Sequence, residues 1–274
     1  MGKPCEFVTI QQVHRRYPGF RFGSEAKAFI DPNGGVLRAD RCLEALQRMF
    51  VKQGGIIKEN EEVLQIVPGE HVSIITSRGR YTAESVVLTP GAWAKKILKP
   101  LGIDPPLKVS QIKVCYWPEK QPGMFSDRPC FYYLSEKYET YGLPSEEYPG
   151  LFKVCNHHGD ELQDPATRNQ TQHSHNLETL KRFIKEHVPG LNPEPAIVEN
   201  CLYTHTPDEE FILDRHPDHP NIVIGCGFSG HGFKLAPAAG RILSELATGA
   251  TPSYNLAPMS LKRFPNNGRF AAHL

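Results

Sequence analysis

"NIVIGCGFSGHGFKLAP", residues Asn221 to Pro237, decides how the rest of the chain is read. An apolar, strand-like run ends in Gly225, Gly227 and Gly230, which spell G-x-G-x-x-G, and "APAAGRILSELATG" continues as a good helix. Strand, glycine turn and helix start are the spelling of a dinucleotide-binding turn. That motif also needs a second parallel strand with an acidic residue about 20 positions on. Glu245 has roughly that spacing but falls inside the helix, and Pro-rich coil follows, so the pyrophosphate reading fails on context. What remains is a helix start that offers unpaired N–H groups and a positive dipole end along a glycine-lined approach.

The bulk properties narrow the field. The 274 residues suffice for one large domain or two modest ones. Lys+Arg 31 against Asp+Glu 30, a formal charge of +1, leaves no electrostatic footprint for nucleic acid and no basic tail for a membrane. Mean hydropathy is −0.40, and no apolar run reaches the roughly 18 residues of a membrane span. "MGKPCEFVTIQQ" lacks the apolar core of a signal peptide. Seven cysteines at scattered spacing, with no C-x-x-C, do not suggest a disulfide framework. His157-His158 with His173 and His175 fits no zinc spacing, so no metal is expected. "DEE" at Asp208 reads as a solvated turn. The expectation is a soluble intracellular protein.

Along the chain, "DPNGGVLRADRCLEALQRMFVKQGG" predicts an amphipathic helix with Val36, Leu43, Leu46, Met49 and Phe50 on or near one face, closed by Gly54 and Gly55. Short strands separated by Pro-Gly and Arg-Gly turns follow, and "SVVLTPGAW" predicts a buried strand that stops at a tight glycine turn. From about Ala94 to Asn200 prolines punctuate aromatic, alternating pieces such as "VSQIKVCYW" and "CFYYL", and "LETLKRFIKEHVPGL" predicts one helix stopped by Pro189-Gly190. The fold class expected is therefore α/β (α+β overall), with a mostly antiparallel block inserted into the first domain.

Several blocks carry a family resemblance: "CLYTHTPDEEFILDRHPDHPNIVIGCGFSGHGFKLAP", "VVLTPGAW", "YGLPSEEYPGLFKVCNHHG" and "GGVLRADRCLEAL". Together they resemble the monomeric sarcosine oxidase family of flavoenzymes, in particular its sarcosine/L-pipecolate-oxidising members, from about Tyr17 to the last residue. The resemblance implies the FAD-dependent oxidoreductase fold of the glutathione-reductase and D-amino-acid-oxidase kind. Its expected division is 1–33 as substrate-domain strands, 34–93 as the middle of the FAD-binding domain, and 94–200 as the substrate-binding domain. Residues 201–260 would be the C-terminal part of the FAD-binding domain, and 261–274 a tail. It further implies a chain truncated at its N-terminus, without the first strand, glycine turn and helix that hold the FAD pyrophosphate, and hence weak in FAD binding and inactive alone.

The site residues come from the same resemblance. Cys201 in "C-x-Y-T" would carry a covalent thioether to FAD. Gly227, Phe228, Ser229, Gly230 and Gly232 would bring the helix start to the negatively charged N1 and C2 end of the reduced flavin, with Gly91, Trp93 and Lys234 also at the cofactor. Lys234 in "HGFK" would hold the substrate carboxylate, and Tyr203 would share that pocket. Lys153 and His157 match the K-x-x-x-H element, whose spacing puts both on one face of a strand. Lys153 would sit by flavin N5 through water and activate O2, while His157 and Tyr141 would line the pocket. The activity implied is oxidation of sarcosine, L-pipecolate or L-proline to an imine, with O2 reduced to H2O2, by a monomer.

Two rivals stay open. An oxidase of other N-substituted amino acids would separate on a substrate panel with peroxide detection. A catalytically silent truncated form, or a folded interaction module, would lack the flavin absorbance bands. Ala272-His273-Leu274 resembles the S-K-L type of peroxisomal address and implies an import receptor as partner.

Overall fold

The computed structural model describes residues 4–144, 147–170 and 175–264; His173 and the Ala272-His273-Leu274 address lie outside the described residues. In chain order come β1 (Glu6–Val8), α1 (Ile10–Arg16), β2 (Ala28–Ile30), α2 (Ala39–Lys52), β3 (Val63–Val67), β4 (Val72–Thr76), β5 (Arg80–Ala83) and β6 (Val86–Leu88). Then follow α3 (Ala94–Leu98), β7 (Lys108–Pro118), β8 (Phe131–Leu134), β9 (Glu139–Pro144), β10 (Leu151–Asn156), β11 (Asp160–Leu162) and α4 (His175–His187). The last elements are β12 (Ile197–His205), β13 (Ile212–Arg215), β14 (Ile222–Cys226) and α5 (Ala236–Ala247). The chain forms two compact units, each from two separate stretches: Met1–Val36 with Ser110–Leu202, and Leu37–Val109 with Tyr203–Leu274.

In the first unit six strands form one sheet, ordered β11-β7-β10-β9-β8, with β12 also pairing to β7. Successive side chains of a strand point to opposite faces, and here both faces carry apolar residues. Cys115, Trp117, Phe152 and Val154 join Leu180, Phe183 and Ile184 of α4 in one core, with Phe20 and Phe125. Val114, Tyr116 and Cys155 form the cluster on the other face, with Tyr141, Tyr148, Leu151 and Ile197 packed against it. The helix α4 follows its sequence: Leu180, Phe183 and Ile184 recur at helical spacing, and it stops just before Pro189-Gly190.

In the second unit β14 lies between β13 and β6, antiparallel to the first and parallel to the second. One face of β14 meets α5, where Val223 and Leu213 pack with Ala239, Ile242, Leu243 and Leu246. From the other face Ile222, Ile224 and Cys226 enter a core with Leu88, Ala94, Leu98 and Leu101. A strand buried on both faces reads as a continuous apolar run, which is why "NIVIGC" shows no alternation. Strands β3, β4 and β5 form an antiparallel meander whose turns carry Pro68-Gly69 and Arg78-Gly79.

One expectation needs correction and two gain detail. Val36, expected on or near the face of α2, lies ahead of the helix's first residue. The helix itself forms, yet Leu43, Leu46, Met49 and Phe50 are all more than half exposed, and nothing among the described residues buries them. Asp208 lies in an exposed turn, as expected, and is also paired: Arg263 Nε donates to its Oδ2 at 2.7 Å and Nη2 to its Oδ1 at 3.1 Å. These hydrogen bonds hold the Asp208 carboxyl down to about 2. Among the described residues no helix is long and apolar enough to cross a membrane, and no group of His, Cys, Asp and Glu could hold a metal ion.

Candidate active site

The second unit gathers one group of the expected residues. Because β6 and β14 run parallel, the turns that follow them emerge at the same edge of their sheet. Gly91–Trp93 follows β6, and Gly227 to Gly232 follows β14. The carboxyl ends of parallel strands are where open α/β sheets bind ligands. Gly91 (φ +55°), Gly227 (φ +68°) and Gly230 (φ +80°) all take left-handed conformations that favour glycine. A Cβ on Gly227 would lie 2.6 Å from Thr206 Cγ2, and one on Gly230 would collide with the Tyr203 ring.

Ser229 is also left-handed, at φ +48°, without being glycine. Its surroundings hold it there. Its N–H donates to Thr204 O at 2.9 Å, and its hydroxyl accepts from Thr206 N–H at 3.3 Å and donates to Gly227 O at 3.2 Å. These bonds fasten the glycine turn to the end of β12 and bring Tyr203 against it. Phe228 packs on Phe211 at 4.7 Å between centroids. Lys234 sits exposed in the 3-10 turn Phe233–Leu235, directly ahead of α5 rather than inside it.

Within the described residues the N–H groups of Gly230 and Gly232 donate to no backbone acceptor. Two available amides, backbone that only glycine adopts easily, and the exposed ring of Trp93 make a cradle for a flat group carrying negative charge at one end. The donor set fits the N1 and C2 end of a flavin.

The first unit gathers the other group. On β10, Lys153 and Cys155 face the side opposite α4, and Tyr141 of β9 stands directly across from Cys155. The Tyr141 side chain favours the ionised form of the Cys155 thiol, against the larger effect of burial. His157 is one residue past the strand, its N–H still donating to Glu139 O at 2.9 Å, so the alternation carries it to the Lys153 side. On β12 the odd positions share that face, since Ile197 packs there while Asn200 accepts from Lys113 on the opposite side. Cys201 is therefore on the face of Lys153, and it is exposed. A polar recess on this unit, lined by Lys137, Glu139, Asn156, His158 and Arg182 among others, contains none of the expected residues.

The cysteines divide by environment. Burial pushes Cys115 and Cys226 up to about 12 and Cys155 upward as well, which keeps them as thiols. Cys5 and Cys130, by contrast, are exposed.

Sequence reasoning overlooked four residues on β7, β12 and the loop before β10. Lys113 is almost fully buried, its ammonium donates to Asn200 Oδ1 at 2.8 Å, and burial lowers its pKa. Tyr116 and Tyr148 both donate to the Glu199 carboxylate, at 3.4 and 2.9 Å. The only sequence signal was the aromatic content of "VCYW" and "EEYPG".

Comparison with known proteins gives the class of the chain. Residues 1–246 match the family described as FAD dependent oxidoreductase. The chain belongs to that family. Within it, the chain is a flavin-dependent amine oxidoreductase, and its similarity is to sarcosine oxidases. It is 46% identical to the peroxisomal sarcosine oxidase of Homo sapiens, over 97% of this chain and 70% of that protein. It is 33% identical to the monomeric sarcosine oxidase of Bacillus sp. (strain B-0618), over 94% and 67%. The fold also matches the solved L-proline dehydrogenase from P. horikoshii, with a TM-score of 0.81 at 19% identity over 97% and 70% of the two chains.

Proposed function

We propose that the protein oxidises secondary amino acids, with sarcosine, L-pipecolate and L-proline as the candidate substrates. The observation that carries this reading is the glycine turn at the carboxyl end of the parallel β6–β14 pair, with its two available amides. Bound FAD would supply the two-electron chemistry, taking a hydride equivalent from the C–H beside the amine nitrogen and passing the electrons to O2. Gly227, Phe228, Ser229, Gly230 and Gly232 would hold its redox end through backbone N–H groups, with Gly91 and Trp93 beside them and Cys201 bonded to it. Lys234 binds the substrate carboxylate with Tyr203 in the same pocket. Tyr141 and His157, in the first unit, would contact the substrate and orient its amine. Lys153 holds its charge ready for oxygen. Water hydrolyses the imine product, and H2O2 leaves.

Lys234→Ala tests the substrate half. Losing a charge-assisted hydrogen bond should weaken sarcosine binding roughly 10- to 100-fold. The fold should be untouched, because Lys234 is exposed. Titrating the rate of flavin bleaching against sarcosine concentration measures the change. An unchanged half-saturation point would remove Lys234 from the site. A panel of sarcosine, pipecolate, proline and bulkier N-substituted amino acids, read by peroxide, then separates the substrates.

The peroxisome is the proposed location, on the strength of Ala272-His273-Leu274 and an import receptor that reads a free C-terminus. A fluorescent protein fused to the N-terminus should collect in peroxisomes, and one fused to the C-terminus should stay diffuse. A diffuse N-terminal fusion in import-competent cells would count against it. A monomer is the proposed state.

A further inference from the structure

The antiparallel register of β7 and β10 sets Tyr116 directly opposite Lys153, and directly opposed residues share a face. The Lys153 ammonium stands 5.5 Å from the centroid of the Tyr116 ring, within the reach of cation–π attraction. The ring cannot easily swing away. It is 4% exposed, lies edge-on to Tyr148 at 4.7 Å, and its hydroxyl donates to Glu199. Tyr148 donates to the other Glu199 oxygen, so one carboxylate fixes both rings. Burial first, and the Glu199 charge second, push the Tyr116 hydroxyl far up, so the ring stays neutral. Among the described residues no ion pair holds Lys153.

A carboxylate partner would fix a lysine and cancel its charge together. A ring face does only the first. We propose that Tyr116 is the positioning residue for Lys153, restraining the ammonium through its π-face while leaving the N–H donors and the full positive charge available to oxygen. Glu199 acts one step further out, by fixing the ring. This rests on the role given to Lys153 above.

The test has two independent readouts. Reductive ¹³C-methylation of the lysines keeps their charge and makes each ammonium visible by NMR. The Lys153 signal, assigned by its loss in Lys153→Arg, should be shifted upfield by the Tyr116 ring current. The assignment is needed because Lys137 also lies over a ring, that of Tyr138. The shift should persist in Tyr116→Phe and vanish in Tyr116→Leu. In the flavin-loaded protein, Tyr116→Leu should slow the oxygen half-reaction roughly 2- to 10-fold, Tyr116→Phe should restore it, and substrate reduction should be unaffected in both. If Lys153→Met leaves the oxygen step unchanged, the role of Lys153 is wrong, and with it the catalytic purpose of the restraint. An unshifted Lys153 signal in the unsubstituted protein overturns the restraint itself and needs no folded Leu variant. A shift and an oxygen step both unchanged in Tyr116→Leu overturn it equally.

Discussion

Lys153→Met is expected to slow reoxidation of the reduced cofactor by O2 on the order of 10²–10³-fold while leaving reduction by substrate nearly unchanged. Methionine is close to lysine in length and apolar bulk, so the exchange removes charge more than volume. Lys153 lies half-buried on a sheet face it shares with tyrosines, apolar residues, Cys201, His157 and the tyrosine-bonded Glu199, where a cation acts through less water than at the surface. Negative charge develops on oxygen as it takes electrons, and a cation already in place stabilises that charge without reorganisation. The charge that substrate oxidation would build, at the N1 and C2 end of the reduced flavin, is the one assigned to the glycine turn and not to this lysine. Mixing the pre-reduced protein with oxygenated buffer isolates one half-reaction, and anaerobic mixing with sarcosine isolates the other. Equal slowing of both would mean that Lys153 supports the fold or the cofactor generally and has no special part in the oxygen step.

Local pattern made the elements legible and left their pairing hidden. The strand β14 announced itself as an apolar run meeting glycines, and α4 and α5 as helical spacing with clear stops. Helix α2 was equally legible, yet its apolar residues stand exposed. Periodicity reports that a helix has an apolar face and is silent on what covers it. Register is harder, because it is decided by long-range partners. Nothing around Val86 or Ile222 says that those two strands run side by side and parallel, although that pairing brings the Gly91 and Gly227 turns to one edge. Tyr116 was passed over for the same reason: its place opposite Lys153 exists only once β7 and β10 are aligned. The glycine turn could be read chemically from its residues alone. The tasks of Cys201, Tyr203 and Lys234 came only through resemblance, since an exposed thiol, a strand tyrosine and a turn lysine have no special spelling.

Cys201→Ser is expected to abolish flavin that survives denaturation on the polypeptide, an all-or-none change. Thioether formation would replace the thiol hydrogen and one hydrogen of the flavin 8-methyl group by one S–C bond, the two hydrogens and two electrons leaving to O2 as H2O2. The reacting sulfur must therefore be accessible and able to ionise. Among the cysteines of the two sheets, burial holds Cys115, Cys155 and Cys226 as thiols, whereas Cys201 is exposed on the face it shares with Lys153. That contrast makes Cys201 competent for the bond, while its choice over the exposed Cys5 and Cys130 comes from the resemblance of its C-x-Y-T element. Serine keeps the size and polarity of an exposed position, so stability should move by no more than about 0.5 kcal/mol. Acid precipitation of the flavin-loaded protein, followed by fluorescence of the washed polypeptide, reads the outcome directly. The unsubstituted protein should retain flavin and Cys201→Ser should release all of it, whereas Cys5→Ser and Cys130→Ser, also exposed, should retain it. Flavin washing freely off the unsubstituted protein would end the covalent assignment. Flavin kept by Cys201→Ser and lost by one of the other two would move it to that cysteine.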